Sequence, residues 1–563
     1  MAVTAGSGGR SRNLVLAAMI FAVAMTFIDQ TIVSIAVPQI QDELDLSNTG
    51  VQWAVNAYLL ALAAFFAYGG RLADTAGHRR VVVAGVVLFA AASLLCGLTP
   101  KGGAAQAWIV VFRAVQGVGG ALLFPAALGI VVQTFALRER GKALALFFGI
   151  AGGLTAVGPV LGGWLTEWTW RAIFWVNIPV AVIALVLIAL SDPVTEHRPA
   201  PMDYRGLALI AAGIGLSVFG FQQSQIWHWS NPAIALCIAA GLVLLALFHR
   251  VELRTASPLI QVRIFRVRAF LVENLVLGIA MLVFVPLFFF ASEYAQISLG
   301  KSASGAGLYL LYFFLGFVIA SQIGGRMLDR GGAKRPVVWG CALSAVGFYL
   351  LAGEVTHLDF ASQQWSIVLA GAGMGMMLTP ASTDAVNRAS RLSYGEATGI
   401  TQTVRNYAAS LGLAVLGTIS VSRFESHVRS SLIARGTPPD QAGDQAHTIA
   451  QAHQSAGGGT SSIPHFIRLD FAYATRTVFY VMAGIMAAAA IVAWIGLERG
   501  LQAEEEGTEA AGEPGGAAGP GTQGTHGTQG PGEQAAGPGG PGQDGPAQDG
   551  KGAEPPSGRT PPV

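Results

Sequence analysis

The chain has 563 residues, of which 52% are hydrophobic and only 12% charged, about half the charge of an ordinary soluble protein. That balance excludes a soluble multidomain enzyme, and the formal net charge of +2 hides a segregation. Beyond Gly500 nine acidic residues face Lys551 and Arg559, which leaves 32 basic and 23 acidic residues over positions 1–500. Positive charge on so apolar a body borders membrane rather than nucleic acid.

After a short N-terminal segment, 1–13, apolar stretches recur that are near the length needed to cross a hydrocarbon core of about 30 Å at 1.5 Å per residue. Fourteen are predicted, at Leu14–Val37, Val51–Gly70, Val81–Leu98, Trp108–Val132, Ala143–Leu165, Ile173–Leu190, Gly206–Phe221, Ala233–Phe248, Phe270–Phe290, Ala306–Ile323, Val337–Leu351, Ile367–Ala385, Gly399–Ser420 and Val478–Leu497. The first is too long for a signal-peptide core and lacks a convincing cleavage site, so it is expected to be retained. The chain therefore reads as an all-α integral membrane protein. Residues 14–190 form a first bundle, 191–269 a linker with two additional spans, and 270–497 a second bundle with a long polar connection near 421–474. The tail, 498–563, is Gly, Pro, Gln and Ala with scattered acids, a composition unable to bury enough apolar surface to order itself.

Lys and Arg of short loops are retained on the cytoplasmic side. With the N-terminus inside, the inner segments hold twenty-two basic residues and the short outer loops only Lys101, Arg171 and Lys301. The even span count then returns the C-terminus to the cytoplasm. Cys96, Cys237 and Cys341 each fall inside a span without a CxxC pair, and no Walker-type phosphate loop is present, so neither a metal site nor a nucleotide site is expected.

Ionisable groups inside a bilayer are costly and mark functional candidates. Asp29 lies about 22 Å along an outward-running first helix and Arg113 about 8 Å into an inward-running fourth, depths that coincide in a core of about 30 Å. A carboxylate and a guanidinium at one depth can pair, and opening or closing of a cavity around them could load and unload a proton. Gln116 stands one helical turn from Arg113. Asn56, Tyr58, Tyr309, Tyr312, Gln402, Arg405, Asn406 and Tyr407 are candidates to line a central cavity. Glu273 and Asp384 are weighed as packing or interface groups and Glu293 as an outer-end residue. Trp53, Trp108, Trp164, Trp168 and Trp170 sit near predicted outer ends, where an aromatic belt is expected.

The chain also repeats itself. Gly70-Arg71-Leu72-Ala73-Asp74 with Gly77, Arg79 and Arg80 follows the second span, and Gly325-Arg326-Met327-Leu328-Asp329-Arg330 with Gly331, Lys334 and Arg335 follows the tenth. Two such loops suggest duplicated halves that rock around a central site. Their glycines permit a tight turn, and their carboxylates can cap the following helix and pair with the basic residues. This loop resembles the signature of the major facilitator superfamily. Asp29–Pro38, Arg113–Gly120, Gly153 with Gly158-Pro159-Val160-Leu161-Gly162-Gly163, and Trp170–Pro179 resemble motifs of its fourteen-span drug:proton antiporter family. Departures are Met327, an added Gly332, and Tyr407 where a small residue is expected.

The resemblance implies the major facilitator fold, two six-helix bundles plus two extra central helices, and not an enzyme. It implies a proton-coupled exporter of amphipathic drugs or antibiotics in the cytoplasmic membrane, with protons and a small organic substrate as partners and no cofactor beyond H+. Asp29 and Arg113 would carry or tune the coupling proton. Gly70, Asp74, Gly77, Arg79, Arg80, Gly153, Gly158, Pro159, Gly162, Gly163, Gly325, Asp329 and Arg330 would govern the rocking motion. A same-fold carrier of a metabolite, siderophore or lipid, and a non-transporting sensor or scaffold, are the alternatives; substrate, direction and oligomeric state are open at this level.

Overall fold

The computed structural model of the protein describes residues 8–135, 137–193, 201–227, 230–387, 394–452, 463–498 and 500. An apolar chain in a bilayer must close its backbone hydrogen bonds within each segment, and helices do so. Among the described residues the regular structure is helical throughout. The first half comprises α1 (Gly8–Leu44), α2 (Asn48–Ala76), α3 (His78–Gly97), α4 (Ala105–Thr134), α5 (Leu137–Trp168), the single turn α6 (Ala172–Trp175) and α7 (Asn177–Ser191). A hairpin follows, α8 (Tyr204–Trp227) and α9 (Pro232–Glu252). The second half is α10 (Arg268–Ile297), α11 (Ala303–Gly331), α12 (Lys334–Glu354), α13 (Phe360–Asn387), α14 (Tyr394–Ala434), α15 (Pro439–Ala452) and α16 (His465–Gly496). Among the described residues thirteen stretches are long and apolar enough to cross a membrane, α6 and α7 together making one. The fourteenth expected stretch, Ala143–Leu165, lies in the 32-residue α5, which is not among these thirteen.

Helix starts are written locally. Ser47 and Ser302 accept from the amides of Gly50 and Gly305 at 3.1 and 3.2 Å, and Asn231 accepts from Ala233 ahead of a helix opened by Pro232. Side-chain oxygens thereby satisfy amides that have no partner within the helix.

The connection expected near 421–474 is largely helical instead. α14 runs on to Ala434, α15 follows, and α16 begins at His465. Phe424 and Val428, one turn apart, are buried, and the Phe424 ring lies 5.3 Å from that of Phe471 on α16. A one-sided apolar stripe of this kind is diluted in a hydropathy average but suffices to hold a helix against a neighbour. The glycine run at 457–459 and the acidic tail from 501 lie outside the described residues.

The duplication extends to individual contacts. Gly77 and Gly332 take φ values of 98° and 81° and donate to Ala73 and Leu328 at 3.1 and 2.9 Å. Gly332 stands seven residues after Gly325, as Gly77 does after Gly70. It is therefore the counterpart of Gly77 and not an addition; Gly331 still belongs to α11. Between α3 and α4 a methyl group on Gly119 would come within 2.6 Å of the Phe89 amide, and one on Gly85 within 2.7 Å of the Leu123 amide. Between α12 and α13 Gly340 repeats this, 2.7 Å from the carbonyl of Gly373 and the amide of Met377. Such backbone approach replaces the hydrophobic driving force that lipid does not supply.

The halves meet at the face opposite the start of α1, here the far face. Gln296 at the end of α10 donates to the Ile35 carbonyl of α1 at 3.0 Å, and Ser304 of α11 donates to the Glu167 carboxylate of α5. They also meet along α2 and α14, where Asn56 accepts from Ser410 and a methyl on Gly399 would lie 3.7 Å from the Cα of Ala67. The hairpin, central in sequence, is peripheral in space. α8 bonds to α2 through Gln222 and Asn56 at 2.6 Å and to α14 through Ser217 and Tyr407 at 3.0 Å. Leu236, Leu242 and Val243 of α9 are exposed, as suits contact with lipid.

Candidate functional site

A polar network lies in the first half at the depth where α1 and α4 cross. Arg113 Nη1 donates to Asp29 Oδ2 at 2.6 Å and to Gln116 Oε1 at 2.8 Å, while Gln116 Nε2 donates to Asp29 Oδ1 at 2.9 Å. Arg113 Nε donates to the Ala54 carbonyl of α2 at 3.0 Å. The Tyr58 ring lies beneath the guanidinium, 4.4 Å from ring centre to Cζ, and its hydroxyl donates to the Thr26 carbonyl. The side chains of Arg113 and Asp29 are 1% and 0% exposed. Shared hydrogen bonds and a ring face substitute for the lost water, which is the condition for keeping a charge pair in a helix bundle.

The sequence placed Asp29 and Arg113 at one depth and Gln116 one turn away; it did not reveal Ser93 and Asn177. Ser93 Oγ accepts from Gln116 at 3.3 Å and from Asn177 at 3.0 Å, and donates to the Phe174 carbonyl at 2.8 Å. Asn177 lies inside the Trp170–Pro179 motif, so the signal was present, but its partner on α3 is a single serine in an apolar run.

The same motif has a structural use at the far face. Glu43 at the end of α1 accepts from Trp170 Nε1 at 2.7 Å and lies 3.2 Å from Arg171 and 3.4 Å from Lys101. Trp170 is 2% exposed, so it is an interior anchor and not a member of an aromatic belt. Trp164 and Trp168, at 67% and 77% exposure, do lie on the surface.

Among the described residues, the second half has no copy of the ion pair at the equivalent positions. Gly158 packs on the carbonyl of Ile28, and Gly412 on that of Leu282, which makes Val283 the counterpart of Asp29. The equivalence of Gly119 and Gly373 makes Ile367 that of Arg113. Both replacements are fully buried and apolar. In place of charge this half carries an aromatic cluster in which Phe284, Phe288, Phe313, Phe314 and Phe317 lie 5.1 to 6.3 Å apart.

Several expected cavity residues serve packing instead. Asn56 is locked between Gln222 and Ser410, and Tyr407 turns outward to Ser217 of the peripheral hairpin. Its bulk at a position expected to be small is accommodated by that contact. Tyr309 donates to Gln363 at 3.1 Å, Gln363 donates to Tyr294, and Tyr294 donates to the Val355 carbonyl. Tyr312 packs edge-on against Phe360. Asn406 donates to the Gln402 carbonyl, and Arg405 is partly exposed. Glu293, about one turn from the far end of α10 as expected, is buried there at 5% exposure; Glu273 and Asp384 are buried too.

The expected gating residues divide likewise. A methyl on Gly158 or Gly162 would strike Thr31 or Ile32 of α1, and one on Gly163 would come within 2.7 Å of the Ala303 carbonyl of α11. The Pro159 carbonyl abuts Gly307 of α11. Gly153 differs: nothing lies within 4 Å, so it makes no close approach. Asp74 does not cap α3, whose N-cap is Gly77 without a side-chain bond; its carboxylate lies 3.3 Å from His78. Arg79 pairs with Asp192 at the end of α7 at 2.6 Å, and Arg80 is exposed. Gly70, Arg71 and Asp74 line a groove with Glu396, Gly399 and Ile400 of α14. Gly325 faces open space, and Asp329 and Arg330 are exposed.

Two duplicated halves meeting through α1–α10, α2–α14 and α5–α11, with a buried ion pair in the first, fit the plan of a carrier built from repeats. The Major Facilitator Superfamily profile matches residues 19–413. The chain belongs to the Major Facilitator Superfamily. It is thus a multi-pass membrane transporter of small organic molecules and not an enzyme. It is 33% identical to the tetracenomycin C resistance and export protein of Streptomyces glaucescens over 427 residues, 75% of this chain and 79% of the relative. It is 32% identical to the cephamycin export protein of Amycolatopsis lactamdurans over 406 residues, 70% of this chain and 82% of the relative. A crystal structure of a D-xylose-proton symporter superposes with a TM-score of 0.57 at 14% identity, covering 86% of this chain and 98% of that one. That likeness speaks to the fold alone.

Proposed function

We propose that the protein exports amphipathic organic compounds, of the drug or antibiotic class, across the cytoplasmic membrane in exchange for protons by alternating access. The observation that carries the reading is the Asp29–Arg113–Gln116 network, a carboxylate closed off from water at mid-depth beside the seam between the halves. Export as the direction is supported by the relatives named for antibiotic export. With twenty-two basic residues in the inner segments against three in the short outer loops, the near face, where α1 starts, is cytoplasmic, and so are both termini.

The far-face contacts Gln296–Ile35 and Ser304–Glu167 then close the carrier to the outside. Parting them would hydrate Asp29, let it take a proton and loosen its hold on Arg113. A proton and a substrate can each shift the two-state balance only through unequal affinity for the two states. No bound cofactor enters this cycle; H+ is the coupling ion. The test is purified protein in vesicles under an imposed proton gradient, with amphipathic dyes and antibiotics followed alongside internal pH. Opposed, mutually dependent fluxes are expected; substrate flux that ignores the gradient would refute proton exchange.

A further inference from the structure

The seam between the halves holds a second charge that the network around Asp29 does not use. Arg405 lies eleven residues into α14 from Tyr394, about 16 Å along the helix and well within the apolar layer. Among the described residues, none makes a hydrogen bond or ion pair with it. It is nevertheless partly exposed, whereas Arg113 is 1% exposed.

The contacts of α14 show where Arg405 points. Val404 and Ala408 face Gly278 of α10, and Gly412 faces Leu282 of α10. Tyr407 and Thr418 face α8, and Ser410 faces Asn56 of α2. Each residue turns a helix by about 100°, so the arc between α10 and α2, away from α8, holds Thr398, Gln402 and Arg405. That arc faces the seam between the halves, and α4 of the first half packs against α14. Gln402 stands one turn before Arg405 on this arc.

We propose that Arg405, assisted by Gln402, is a subsite for an acidic group of the transported molecule, a carboxylate, sulfonate or ionised phenol on an apolar ring system. Three observations carry this together. An intramembrane guanidinium is costly unless paired or hydrated. The carboxylate of Asp29 is already held by Arg113 and Gln116. The fork of an arginine, moreover, fits a carboxylate or sulfonate through two parallel bonds. The inference deepens the export reading by naming a substrate class and rests on it.

The experiment compares two dyes with one ring scaffold, anionic 8-anilinonaphthalene-1-sulfonate and neutral N-phenyl-1-naphthylamine. Binding to full-length protein in nanodiscs is read by dye fluorescence against empty nanodiscs, and flux is read in vesicles. Wild type is expected to favour the sulfonate, Arg405→Gln to lower the sulfonate-to-neutral affinity ratio at least tenfold, and Arg405→Lys to keep it within about threefold of wild type. A ratio unchanged in Arg405→Gln, an equal loss for both dyes, or wild type that binds the neutral dye alone would overturn the subsite. Arg405-dependent sulfonate binding without flux would overturn the export reading and leave the subsite standing. Binding of neither dye by folded wild type would overturn both.

Discussion

The buried pair on α1 and α4 can be tested by removing its charge one partner at a time. In Asp29→Asn the side chain keeps its shape but loses the negative charge that faces Arg113 Nη1 at 2.6 Å, with both groups essentially closed to solvent. Its amide would also meet the Gln116 amide that now donates to Oδ1 at 2.9 Å. Relieving that clash by turning Gln116 would take its acceptor oxygen from Arg113. A lone hydrogen bond is worth about 1 kcal/mol, whereas stranding one member of a buried ion pair costs about 3–5 kcal/mol; the larger figure applies here. Arg113→Gln should cost a similar amount. The double variant should cost less than the two together by at least about 2 kcal/mol, the signature of directly coupled groups. The assay is equilibrium unfolding in mixed SDS micelles, run beside substrate and proton flux in vesicles. Proton movement should be lost in every variant lacking the carboxylate, including the double variant in which stability recovers. Costs that add within about 0.5 kcal/mol, or proton exchange that persists without Asp29, would refute the reasoning.

The remaining expectations rest on individual contacts. Gly158→Leu should abolish transport because it strikes Thr31, while Gly153→Leu, with nothing within 4 Å, should insert and transport; equal defects in vesicle flux would show that helix 5 is not held by these approaches. Gly77→Ala meets no neighbour, so its cost should be backbone strain alone at φ 98°, about 1–3 kcal/mol by the same unfolding assay. Gly332→Ala should cost more, because its methyl also meets the Gly500 carbonyl. Cysteines at Ile35 and Gln296, joined by a short reducible crosslinker in a background lacking Cys96, Cys237 and Cys341, should stop transport by holding the far face shut. Reductant should restore it, and full activity of the crosslinked protein would count against the rocking motion.

Much of this molecule was legible in one dimension. The succession of long apolar helices follows from apolar length, because a bilayer imposes one span length on every segment. The Gly-Arg-x-x-Asp loops exposed the duplication because a turn with positive φ constrains residue type locally. Asp29 and Arg113 were findable because a charge inside an apolar run stands out, and rise per residue alone puts the two at one depth. Gln116 followed from the helical period.

Facing and partnership were not legible, since each depends on which helix lies alongside. Asn56 and Tyr407 read as cavity groups, but the docking of α8 turns them into ties to a peripheral hairpin. Asp74 read as a cap, but Gly77 occupies the N-cap and the carboxylate meets the His78 side chain, not an amide of the next helix. Ser93 completes the network from an apolar run whose helical phase only packing defines. The apolar and charged pattern by itself determined the succession of apolar helices, the repeat and the depth of the charges, because each responds to the nearby chain and to the membrane. Only the tertiary structure decided that Asp29 is paired, and that Arg405, in the opposite half, lies on the arc facing the seam without a described partner, because side chains from separate helices meet only once the bundles have packed.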